Sequence, residues 1–241
     1  MIKSFTLALL ASASLASIDV HAASAPITWG TPTNETGNVS DVIITGTLVA
    51  AVTSGASTTL NGVSFIGGAY GAAFPSVSTL NFGSGVTLTG ASASNFSWAT
   101  VPTSWNPSYQ TLVNTGSSGA NANNPTLTIS GLTVGNTYLL QIFEPTSVGN
   151  VFGPWPTTFS AGGKTSSAVT NSAPQYITGT FTANATSEAI TLSGSNGYGV
   201  FAALQLRNTT VAPVPEASAS LMMSAGLAAL GFLGWRRRRA A

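Results

Sequence analysis

Between residues 26 and 210 the chain alternates apolar and small polar residues in short runs. Val86–Thr87–Leu88, Leu127–Thr128–Ile129 and Ile190–Thr191–Leu192 each return an aliphatic side chain to one face every second residue, the period of a half-buried strand. Ile177, Gly179 and Phe181 share one face, with Thr178, Thr180 and Thr182 on the other. Val200, Ala202, Leu204 and Leu206 define another core face, opposed by Gln205 and Arg207. Tyr138 to Phe143 is almost continuously apolar, which suits a central strand covered on both sides. Val42–Ile44 and Thr47–Val49, parted by Gly46, add two short strands, and Val63 and Phe65 follow the turn-prone Asn61–Gly62. A further strand is expected near Thr157–Ser160, inside the long Pro145–Gln175 connection. No long window has helical periodicity with caps. Roughly eight to ten short strands in one domain predict an all-β, jelly-roll-like β-sandwich.

The two ends follow other rules. Met1–Ile2–Lys3 precedes an uncharged apolar run from Phe5 to Ala16, then a more polar stretch ending in small residues. That order predicts a secretory signal peptide over 1–22. Val20–His21–Ala22 allows a cut after Ala22. Ala23–Ser24–Ala25 allows one after Ala25, but Pro26 would then follow and hinder the peptidase, so Ala22 is preferred. At the other end, 210–216 reads as a Pro-containing linker. Ala217 to Trp235 is a run of 19 uncharged residues, and Arg236, Arg237, Arg238 and Arg239 follow. As a helix the run would span roughly 28 Å, close to the hydrocarbon thickness, with its arginines on the cytoplasmic side. The β-sandwich domain is therefore expected over 23–209, and the transmembrane helix with its arginine-rich end over 217–241.

Composition narrows the chemistry. Charged residues make up 5% of the 241, against about 25% in ordinary soluble domains, so Ser, Thr, Asn and Gly must supply the polar surface. From 26 to 210 the acids are Glu35, Asp41, Glu144 and Glu188 and the bases Lys164 and Arg207, a net of −2. No basic patch remains to neutralise phosphates, so nucleic-acid binding is not expected. Cysteine is absent and His21, the one histidine, falls in the signal peptide. The mature chain would then lack the imidazole and thiol on which most nucleophilic catalysis rests.

The tail resembles a known sorting signal. Val214–Pro215–Glu216–Ala217–Ser218, the apolar stretch and the arginine cluster match in order and spacing the PEP-CTERM signal. Ala217 stands where the third motif position is usually proline. The resemblance covers about the last 29 residues, Pro213 to Ala241. It implies recognition at Pro215 and Glu216 by an exosortase, an integral membrane enzyme that removes the tail. It further implies Arg236–Arg239 as retention signal and an inner-membrane-anchored precursor later found at the cell surface or outside it. Within the body, Leu132–Thr133–Val134–Gly135–Asn136–Thr137–Tyr138 is similar to the Leu-x-x-Gly-x-x-Tyr corner of fibronectin type III domains, where the tyrosine hydroxyl ties back to the backbone. Thr59–Phe65, Gly179–Thr186 and Ala203–Arg207 resemble stretches in β-sandwich bodies of other PEP-CTERM proteins, which implies a fold but no defined activity.

Candidate binding residues are aromatic. Trp98, Trp105 and Tyr109 cluster with Phe96 in a Ser/Asn/Pro-rich stretch read as a loop, and Trp155 lies in the long connection. Exposed rings of this kind stack on sugars while neutral side chains bond their hydroxyls; the competing reading places them in the ends of the core. Two carboxylates about 5–9.5 Å apart would suit glycoside hydrolysis, but the four body acids are expected as exposed charges or strand-end pairs. Asn34, Glu35, Asn38 and Asp41 crowd one stretch where a structural calcium could bind, although no recognised ligand spacing occurs. The expectation is an exported, non-enzymatic cell-surface or matrix protein with no catalytic residues, cofactor or assigned metal. Its partners would be signal peptidase, an exosortase and extracellular polysaccharide, as in a biofilm matrix. The alternatives are a dedicated carbohydrate-binding module and, behind it, a carboxylate-based glycan hydrolase.

Overall fold

A computed structural model describes residues 24–67, 77–96, 101–118, 124–145, 156–170, 174–194, 199–211 and Met223. In chain order its first strands are β1 (Thr28–Trp29), β2 (Thr33–Asn34), β3 (Thr47–Thr53), β4 (Thr58–Leu60), β5 (Val63–Gly67), β6 (Val77–Gly83), β7 (Val86–Phe96) and β8 (Gly116–Ser118). The others are β9 (Thr126–Ser130), β10 (Thr137–Phe143), β11 (Thr157–Ala161), β12 (Lys164–Thr165), β13 (Gln175–Thr182), β14 (Ser187–Gly194), β15 (Val200–Phe201) and β16 (Ala203–Asn208). They form two sheets. One runs β1–β13–β10–β16–β3–β5–β4 with β2 also on β13; the other runs β12–β11–β14–β9–β7–β8–β15 with β6 also on β7. Pairing is antiparallel except between β3 and β5. β9, β10, β11, β13, β14 and β16 lie alternately in the second and first sheets. The all-β sandwich expected from the alternation is present.

The apolar positions of that alternation meet between the sheets. Leu80, Leu88, Leu127, Ile129, Phe159, Ile190 and Leu192 of the second sheet face Tyr138, Leu140, Ile142, Ile177, Phe181, Leu204 and Leu206 of the first. Fully burying each aliphatic or aromatic side chain stabilises by about 1.5–3 kcal/mol.

A second apolar cluster covers the outer face of the first sheet: Val42, Ala51, Phe65, Phe143 and Ala203 with Tyr109, Leu112 and Val113. The last three belong to a helix, α1 (Pro107–Val113), in the stretch read as a loop from sequence. Asn106 caps it by accepting from the Ser108 and Tyr109 amides, and Pro107 opens its first turn. At seven residues it is too short for a visible period. Tyr138 to Phe143 reads as continuous apolar sequence because β10 has a core on each side.

Val42–Ile44 is not a strand, contrary to the sequence reading. Its backbone crosses the first sheet and is bonded by side chains instead of a ladder. Gln141 donates to Asp41 C=O at 2.7 Å and accepts from the Ile43 amide at 3.2 Å. Gln205 donates to Ile43 C=O and to the Gln141 side chain, at 2.8 and 2.7 Å. Arg207 donates to Thr45 C=O and Gly46 C=O, at 2.9 and 2.8 Å. Burying polar groups is tolerated only with such partners.

Candidate functional site

The ladder of glutamines and arginine fixes the segment that carries Glu35 and Asp41. After β2 the Glu35 amide donates to Pro174 C=O at 2.8 Å. Across the same strand end, the Glu144 amide following β10 donates to Gln175 C=O at 3.1 Å. Both glutamates therefore flank the start of β13. Asp41 closes a single 3-10 turn, Val39–Asp41. Its carboxylate accepts from the Thr36 amide at 2.7 Å, the Thr36 hydroxyl at 2.9 Å and the Gly37 amide at 3.1 Å. Gly37 has φ +73° and lies flat against the Trp105 ring, where any side chain would collide. Trp105 in turn meets Tyr109 edge to face, centroids 5.5 Å apart.

Burial makes this corner unusual. Glu35, Asp41 and Glu144 are all buried, Glu144 completely, so the expectation of exposed charges fails for each. Glu188 is buried too. Both oxygens of Glu35, both of Glu144 and the Tyr109 hydroxyl have no hydrogen-bond partner. Burial, then the Asp41 charge, pushes the Glu35 carboxyl well up, and the nearby Tyr109 hydroxyl offsets part of this. Glu144 is raised well above the ordinary range by burial; the neighbouring Thr157 hydroxyl pulls down and the Glu35 charge adds to the rise. Tyr109 is driven up by burial and by the Glu35 and Asp41 charges. A carboxylate removed from water without donors costs several kcal/mol, and desolvation accordingly favours the neutral acid.

The aromatic candidates separate. Tyr109 is fully buried and offers no ring face to a sugar, which removes it from the glycan-binding set. Trp105 is half-buried against the outer cluster. Trp98 and Trp155 lie outside the described residues, as do Ala22, Pro215, Glu216 and Arg236 to Arg239. The 217–235 segment is outside them except for Met223. Among the described residues no helix is long and apolar enough to cross a membrane, and no three acids are grouped so as to hold a metal ion.

Sequence reasoning missed a second feature, a row of hydroxyls. Thr79 pairs with Thr89, Thr89 with Thr126, Thr126 with Thr191, Thr191 with Ser160 and Ser160 with Thr165. The row crosses β6, β7, β9, β14, β11 and β12 on the outward face, each member exposed or half-buried. Thr79 bonds Thr89 and Ser160 bonds Thr165 through their hydroxyls, at 3.4 and 2.8 Å. These six strands carry two charged residues, Glu188, buried, and Lys164 in the short edge strand β12. The polar half of each alternation was the available signal, but only register shows that the halves align. On the first sheet, Thr28, Thr137, Thr180 and Thr182 line a shallow groove of about 340 Å³ with Pro26 and Phe181.

Comparison with known proteins bears on the tail. Residues 213–239 match the PEP-CTERM protein-sorting motif. The chain thus carries the C-terminal signal through which an exosortase processes its substrates, and the motif implies export by way of a membrane-anchored precursor. Neither a curated protein nor a solved structure matches the chain.

Proposed function

We propose that the β-sandwich is a non-enzymatic surface or matrix module, released or attached after exosortase cuts the tail, that contacts neutral extracellular polysaccharide. The hydroxyl row is the observation that carries this reading. Side chains on neighbouring strands stand about 4.8 Å apart, so six hydroxyl residues in register offer a flat series of donors and acceptors without charge. Such a face suits sugar hydroxyls and has nothing to attract polyanions or nucleic acid. Trp105, and Trp98 and Trp155 beyond the described residues, remain stacking candidates. The test is sedimentation of the protein with neutral and with anionic polysaccharides. Binding to the neutral class, weakened about tenfold or more by Thr126→Lys, supports the hydroxyl face. Loss on Trp105→Ala with Thr126→Lys silent moves the site to the aromatic corner and favours a dedicated carbohydrate-binding module. No binding to any polysaccharide refutes both. Intact-mass analysis of protein from its own cells, ending near Glu216, tests the processing step.

A further inference from the structure

The oxygens of Glu35, Glu144 and Tyr109 share one corner without a close hydrogen bond, although the Tyr109 hydroxyl lies near Glu35 and Asp41, and the Thr157 hydroxyl near Glu144. Buried acids whose lone pairs lack close donors leave their desolvation unoffset. Two glutamates also need two positive charges or two protons. Among the described residues the side-chain cations are Lys164, which is exposed, and Arg207, which is committed to Thr45, Gly46 and Gln205. Among the described residues none supplies a counter-charge there.

We propose that Glu35, Glu144 and the Tyr109 hydroxyl hold one hard divalent cation of calcium's class. The charges balance, two carboxylates against one dication. Asp41 is not a ligand in this arrangement, because its oxygens already accept from Thr36 and Gly37; its part is to shape the loop that presents Glu35. Main-chain carbonyls and water complete the shell. Calcium accepts such an irregular all-oxygen set, whereas magnesium demands a near-ideal octahedron and gives up its waters reluctantly. The cation would clamp the ends of β2 and β10 across the start of β13.

The experiment uses the full-length chain in detergent, stripped with EDTA. Thermal unfolding is followed with CaCl2, with MgCl2 and in chelator, and terbium luminescence is excited through Tyr109 and Trp105, whose rings are 5.5 Å apart. Saturating calcium should raise Tm by roughly 5–10 °C, and terbium emission should appear and be competed away by calcium. Glu35→Gln and Glu144→Gln should each abolish the shift and the emission. A wild-type protein with neither response overturns the proposal, as does a calcium shift that survives both substitutions. Where a variant fails to fold, wild-type emission and its competition by calcium decide the matter.

Discussion

The backbone amide of Ala25 donates to the Glu188 carboxylate at 2.8 Å, across 163 positions of sequence. Ala25 and Ile27 are buried, and Gly162 packs against Ala25 and Pro26 so closely that no side chain would fit. Residues 25–27 are therefore part of the sandwich.

If a signal peptide is removed as the sequence leads one to expect, this bond favours the cut after Ala22 over the cut after Ala25. A cut after Ala25 would remove a buried residue and strip Glu188 of its donor. Mass spectrometry of the exported protein should find Ala23 at the amino terminus. A chain starting at Pro26 would show that the contact is dispensable.

The Tyr138 hydroxyl accepts from the Thr133 amide at 2.8 Å, which is the corner that the Leu-x-x-Gly-x-x-Tyr segment implied. Its ring stacks on Phe181, centroids 5.6 Å apart. Tyr138→Phe keeps the stack and leaves the amide unpaired. Urea unfolding should show a loss of about 1–3 kcal/mol with the denaturant slope unchanged.

Gln141 serves two backbone groups of the crossing segment and bonds Gln205 as well. Gln141→Leu orphans the Asp41 carbonyl and the Ile43 amide. Destabilisation should reach about 2–6 kcal/mol, from two buried groups at about 1–3 each. Limited proteolysis should then cut first between residues 36 and 46, while the sandwich survives.

The pH response follows from burial. Glu35, Glu144 and Glu188 are all raised above their ordinary 4.5, so above that pH the folded chain binds more protons than the unfolded one. In chelator, stability should fall as pH rises from about 4.5 toward neutrality. The groups facing Glu35 and Glu144 are Asp41, Tyr109, Tyr176 and Thr157, and none brings a positive charge. Thermal melts across this range, repeated on Glu144→Gln, should show a shallower decline in the variant. Stability that rises with pH in chelator would contradict the assignment.

Much of the sandwich was legible because its signal is local. Leu127–Ile129, Ile177–Thr182 and Ile190–Leu192 fall within β9, β13 and β14, and Thr157–Ser160 within β11. Val42–Ile44 failed because apolar composition does not show whether a segment finds a ladder or is held by side chains. The helix α1 escaped notice for want of length, although Asn106–Pro107 is a helix-start signal that could have betrayed it. The acids were expected as exposed charges or strand-end pairs; Glu35 and Glu144 do flank a strand end, but all four are buried, which no local pattern discloses. The nearest thing to a hint is that Glu144 directly follows the apolar run of β10.

By itself the sequence determined what neighbouring residues decide: the period-two strands, the tyrosine corner and the sorting tail at 213–239. Tertiary structure alone decided which strands align their hydroxyls, and that Glu35 and Glu144, more than a hundred residues apart, flank one strand end. The reason is register. Burying a whole strand face selects one alignment, since a one-residue slip would turn every core side chain outward. That choice is made by the assembled sheets and leaves no mark on any single stretch of chain.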